Sequence, residues 1–150
     1  MSGSLVAGLP GVLPSELDVR VVGEANIAAC YELMRVLRPQ LTSGAEFIER
    51  WRRQSEQGYA ILALWRAQGP VALAGFQVQE NLVHGRFLYV DDLVTDESER
   101  RHGHGARLLA RARGCRKLVL DAALENTLAH RFYYRQGLLA LSLRFNCLLD

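Results

Sequence analysis

Apolar positions alternate from Leu17 to Val22, several of them β-branched, and predict a first strand that ends at Gly23. Ile27, Tyr31, Met34 and Leu37 then recur at helical spacing, with Asn26 placed to cap them and Pro39 forbidding continuation. Ser43 and Glu46 have the spacing of a capping box, and Phe47, Ile48 and Trp51 supply the buried face of a second helix ending near Gly58. Tyr59 to Trp65 and Val71 to Val78 are apolar and β-prone. Gly69 and Pro70 between them predict a hairpin. After a turn around Asn81 to Gly85, Phe87 to Val94 predicts a long strand interrupted by the adjacent acids Asp91 and Asp92.

The pattern continues with Gly103, Gly105 and a short helical stretch through Leu108, Leu109 and Ala112. A strand from Lys117 to Leu120 follows, then a helix from about Asn126 to Gln136 closed by Gly137. The chain is expected to end in two short strands. This order predicts a mixed sheet with helices on its faces, in the α/β or α+β class.

Composition narrows the class. A chain of 150 residues, 49% hydrophobic and 23% charged, is expected to form one globular domain over residues 17–150, with residues 1–16 as a flexible tail. The charge-free run Met1 to Ser15 is broken by glycine and proline and is shorter than the roughly 20 apolar residues a membrane helix needs. No membrane partner is therefore expected. Cys30, Cys115 and Cys147 form no CxxC pair or ligand cluster, which predicts buried reduced thiols, no metal site and a cytoplasmic location.

The net charge of +2 hides an uneven distribution. Asp91, Asp92, Asp96 and Glu97 lie in one stretch, whereas Arg100 to Lys117 holds seven basic residues and no acid. That run has interior leucines and no interleaved aromatics, so nucleic acid is not expected as a partner. Its start, Arg100-Arg101-His102-Gly103-His104-Gly105-Ala106, follows a strand and opens a helix. Such a start leaves backbone N–H groups without intrahelical partners, and glycines let an anion approach them. A dinucleotide fingerprint would need a small residue where Leu108 stands, and a P-loop would need Gly-Lys-Ser/Thr. Neither is present.

What remains is Arg-x-x-Gly-x-Gly at Arg100, Gly103 and Gly105, preceded by Tyr89-Val90-Asp91-Asp92-Leu93-Val94-Thr95. Further on stands Asn126-x-x-Ala129-x-x-Phe132-Tyr133-x-x-x-Gly137-Leu138. With both motifs in this order, the stretch from about Val19 to Leu148 resembles the GNAT acetyltransferase superfamily. The resemblance implies a mostly antiparallel mixed sheet of six to seven strands, flanked by helices and splayed at strands 4 and 5. It also implies acetyl-CoA as cosubstrate and an amine acceptor on a small molecule or protein. The pantetheine arm would pair with the backbone of Leu93, Val94 and Thr95, and the pyrophosphate would sit on amides around Arg101 to Arg107. Arg100 and Arg101 would add charge or remain solvated, and His102, Gly103, His104 and Ala106 belong to the same loop.

Attack by an amine on a thioester needs one proton removed and one returned to the thiolate. Tyr133 matches the family's tyrosine that often serves as the acid. Asp91 stands where several members carry a base-like carboxylate, acting directly or through water. Asp92 is its rival, and strand alternation places the two on opposite faces. Asn126 either bonds the cofactor arm or caps its helix.

Only eight residues, Ala106 to Arg113, separate Gly105 from Gly114, and the family's helix at this point generally runs longer. Either neighbouring elements shift, or a second copy covers the bare sheet as a homodimer. The short helix also motivates an alternative reading, a catalytically silent acyl-CoA-binding or regulatory domain.

Overall fold

The computed structural model describes residues 18–96 and 112–150. The expected tail at residues 1–16 and the glycine loop from Arg100 to Ala106 lie outside the described residues. The chain divides into two units, the boundary falling after Val119.

In the first unit, β1 (Asp18–Val21) leads through a 3-10 turn (Ile27–Cys30) into α1 (Tyr31–Leu37), followed by α2 (Gly44–Ser55). Then come β2 (Ala60–Arg66), β3 (Gly69–Asn81), β4 (Gly85–Thr95) and β5 (Leu118–Leu120), whose last residue falls beyond the boundary. The sheet order is β1-β2-β3-β4-β5, and the first three pairings are antiparallel.

Local chemistry explains the helix ends. Asn26 makes no side-chain cap, and the helix predicted to start there begins instead as a tight 3-10 turn. At its other end Pro39 disfavours a helical residue before it, and Arg38 leaves the helix at φ −121° and ψ 72°. Ser43 Oγ accepts the Glu46 N–H at 3.1 Å, as the capping-box spacing predicts. The return bond lands one residue early, where the Glu46 carboxylate accepts from the N–H and hydroxyl of Thr42 at 2.8 and 2.6 Å.

One sheet face carries Ile61, Ala63, Trp65, Leu73 and Val94, buried together with Ile27, Cys30, Leu33, Met34, Phe47 and Trp51. This is the helix-covered face, and both tryptophans belong to its core. The other face carries the smaller cluster of Leu62, Leu64, Ala72 and Ala74.

The second unit contains α3 (Thr127–Arg135). Asn126 Oδ1 caps it by accepting the Ala129 N–H at 3.1 Å. Gly137, at φ 82°, ends it, and Leu138 N–H reaches back to the Tyr133 carbonyl at 3.0 Å.

Two expectations are corrected here. Residues 138–150 form no strand, so the described sheet has five strands rather than six or seven. An apolar pattern gives a segment a face, but a strand also needs a neighbour to take its backbone hydrogen bonds. Nor are all the thiols buried: Cys30 is, whereas Cys115 is half-buried and Cys147 exposed.

Candidate active site

The acids in β4 sit at an irregularity of the sheet. Gly75 pairs with Asp92 and the next residue, Phe76, pairs with Val90, so the register skips Asp91, an extra residue on β4. This is a β-bulge, which re-aims the side chains around it.

The bulge overturns the expectation that Asp91 and Asp92 face opposite sides. Asp92 lies across from Gly75, and a methyl group on Gly75 would stand 2.7 Å from Asp92 Oδ2. Gln77, two residues along β3 and so on the same face, donates from Nε2 to both Asp91 carboxylate oxygens at 3.2 and 3.1 Å. Both carboxylates therefore occupy the helix-covered face.

Their surroundings differ. Asp92 Oδ1 accepts from Arg38 Nε at 2.7 Å, and its Oδ2 accepts from the Tyr59 hydroxyl at 2.6 Å. Arg38 Nη2 also donates to the Asp91 backbone carbonyl at 2.7 Å. Burial first, then the negative charge of Asp92, pushes the Tyr59 phenol far above its ordinary pKa, so it remains a neutral donor. Gly75 makes this bond possible, since an added Cβ would lie 2.0 Å from the Tyr59 hydroxyl.

Asp91 instead lines a cavity of about 190 Å³ together with Gln54, Gln57, Tyr59 and Gln77. The last turn of α2 supplies Gln54, and the turn that follows it supplies Gln57. Gly58, at φ 100°, turns the chain toward β2 and delivers Tyr59. The lining thus combines one carboxylate, three carboxamides and a phenol.

Leu93, Val94 and Thr95 extend β4 beyond the bulge and pair with Ala74, Leu73 and Ala72. Asp96 N–H donates to the Val71 carbonyl at 2.7 Å, so alternation turns the backbone groups of Leu93 and Thr95 away from β3. On that side β5 is three residues long and is entered where the Lys117 carbonyl accepts from Leu88 N–H.

In the second unit, Tyr133 lies on α3 with its ring 5.5 Å from that of Phe132, edge to face. Burial raises its pKa above the ordinary phenol value, which keeps it protonated. Asn126 is exposed and serves as the helix cap, one of its two expected roles. Asp91, Asp92 and Leu93 to Thr95 thus lie in the first unit and Asn126 and Tyr133 in the second. Among the described residues no group of three or more His, Cys, Asp or Glu is placed to hold a metal ion.

Arg38, Tyr59, Gly75, Gln77, Gln54 and Gln57 were not singled out as site residues by the sequence. Gly75 carried a usable signal, because a glycine inside a strand marks a bulge or a close approach. The others looked like an ordinary helix end, a strand start and solvated amides.

The chain matches the family described as Acetyltransferase (GNAT) family over residues 27–138, and it belongs to that family. It is 31% identical over 117 residues to the uncharacterized N-acetyltransferase YhdJ of Bacillus subtilis, covering 71% of this chain and 79% of that protein. Among solved structures, a Trypanosoma brucei acetyltransferase aligns with TM-score 0.69 and 26% identity over 89% of this chain and 100% of the other. The aminoglycoside N-acetyltransferase AAC(6')-Iy, solved in complex with CoA, shares the fold at TM-score 0.71 and 17% identity, over 87% of this chain and 95% of the other.

Proposed function

We propose that this protein is an acetyl-CoA-dependent N-acetyltransferase that moves an acetyl group to a primary amine by direct attack in a ternary complex. Family membership supports the reaction class. The observation that carries the mechanism is the Asp91 carboxylate, set out of the ladder by the bulge and lining a polar cavity.

Acetyl-CoA supplies a thioester carbonyl. Backbone groups of Leu93 and Thr95 would hold the pantetheine arm, those of Val94 being turned to β3, and the loop from Arg100 through Ala106, with Arg101, His102, Gly103, His104 and Gly105, would hold the pyrophosphate. Asp91, rather than Asp92, takes the proton from the acceptor ammonium, directly or through water. Asp91 is favoured over Asp92 because the Arg38 cation and the Tyr59 phenol hold the Asp92 oxygens, whereas Asp91 is met by the neutral Gln77 amide and lines the cavity. The C–N bond forms as the C–S bond breaks, the departing thiolate takes a proton from the neutral Tyr133 phenol, and the second proton that the nitrogen loses as the amide forms passes through water to restore that phenol. Asn126 contributes through the helix start that places Tyr133.

The cavity suits the amine end of an acceptor, with Asp91 meeting the ammonium and the glutamine amides meeting neighbouring polar groups. Its volume corresponds to about six waters, at about 30 Å³ each. The three free cysteines accord with action in the cytoplasm. Among the described residues no helix is long and apolar enough to cross a membrane.

Thiol release from acetyl-CoA, measured with ethanolamine, glucosamine, spermidine and lysine methyl ester, tests this function. Turnover with at least one amine is expected, falling about 100-fold or more in Asp91→Asn and in Tyr133→Phe. Binding of acetyl-CoA without turnover of any primary amine would favour the silent acyl-CoA-binding reading.

A further inference from the structure

A bulge costs a strand its regular pairing, and at Asp91 the fold spends a charged side chain on holding that irregularity in place. The Arg38 guanidinium reaches both residues of the irregularity at once. Nη2 donates to the carbonyl of Asp91 and Nε to the carboxylate of Asp92, each at 2.7 Å. The planar fork of arginine suits two acceptors at fixed separation, which a lysine ammonium cannot match.

Arg38 is itself well fixed. It closes α1 with its N–H on the Met34 carbonyl at 2.9 Å, and Pro39 holds it out of the helix. From the other side Tyr59 grips Asp92 at 2.6 Å in the space left by Gly75. Asp92 is thus tied to α1 and to the start of β2. Asp91, one residue away, is tied to α1 through its backbone carbonyl, while its carboxylate meets Gln77 and lines the cavity.

We infer that Arg38 is a positioning residue for acetyl transfer: by clamping the Asp91 carbonyl against the Asp92 carboxylate it fixes the bulge that aims the Asp91 side chain into the acceptor cavity. Arg38 touches neither acceptor nor thioester in this account. Its effect passes through the main chain of β4. This inference rests on the proposed role of Asp91 as proton acceptor.

A double-mutant cycle tests it, using acetyl-CoA with the fastest amine of the panel above. Arg38→Met is expected to lower kcat by about 10- to 100-fold, the scale on which a small misplacement of a catalytic group acts. The KM for acetyl-CoA should change by less than about twofold, since the clamp does not bind it. In the Asp91→Asn background the same change should cost less than about twofold in kcat, because the group it aims is already disabled. Arg38→Lys, which keeps the cation beside Asp92 without the fork, should give an intermediate kcat. It carries the cycle if Arg38→Met does not fold, with a melting curve recorded for every variant.

Loss of kcat in Arg38→Met that multiplies in full with the Asp91→Asn loss would overturn the inference, and so would wild-type kcat in Arg38→Met. Wild-type turnover in Asp91→Asn would instead remove the assignment of Asp91 itself, an outcome separate from additivity in the cycle.

Discussion

Tyr59 and Asp92 share a 2.6 Å hydrogen bond above a glycine that has no room for a side chain. Placing a methyl group 2.0 Å from the Tyr59 oxygen forces the rigid ring, the carboxylate or the backbone to move. Gly75→Ala is therefore expected to destabilise the fold by about 1–3 kcal/mol, a typical overpacking cost, read as a lower denaturant midpoint at unchanged slope. Tyr59→Phe combined with Gly75→Ala should recover part of the loss. A wild-type midpoint in Gly75→Ala would contradict the contact. Burial also sets a pH dependence, because the folded pKa values of Tyr59 and Tyr133 are raised and that of Cys30 is pushed up to about 12. Groups raised in the folded state contribute stability that is intact below their unfolded pKa. That stability is lost as pH climbs toward the folded value. Stability should thus fall above about pH 9–10, where free thiols and phenols ionise, and fall less steeply in Tyr59→Phe. An equal alkaline slope in the variant would show that Tyr59 titrates normally.

At the scale of elements, sequence patterning located most of what the structure contains. The hairpin of β2 and β3, the long β4 and the capped starts of α2 and α3 all follow from apolar periodicity and from residues such as Ser43 and Asn126 whose chemistry is local. What escaped were features made by two distant segments meeting. The bulge at Asp91 depends on how β3 and β4 register, which no spacing within β4 reveals, although adjacent acids in mid-strand and Gly75 opposite hinted at it. Arg38 is 54 residues from Asp92, and nothing about a basic residue before Pro39 announces that contact. The terminal strands failed for the same reason in reverse: Leu139, Leu141, Leu143 and Phe145 alternate like a strand, but all four side chains are exposed and no ladder forms.

For the whole molecule, the proposal joins a glycine-rich basic loop, an outward-turned stretch of β4 backbone and a carboxylate-lined cavity into one acetyl-transfer site. The three parts do not depend on a particular acceptor, so binding of the acetyl donor can be measured alone. A ligand that binds only the folded state at 100 times its dissociation constant stabilises it by about 2.7 kcal/mol. For a chain of this size that is a rise in melting temperature of roughly 5–10 °C. The most direct measurement is the melting temperature with acetyl-CoA compared with ADP and ATP at equal concentration. The account predicts a concentration-dependent rise with acetyl-CoA that adenosine nucleotides, lacking the pantetheine arm, do not match. No rise with acetyl-CoA at any concentration, or an equal rise with ADP, would contradict it.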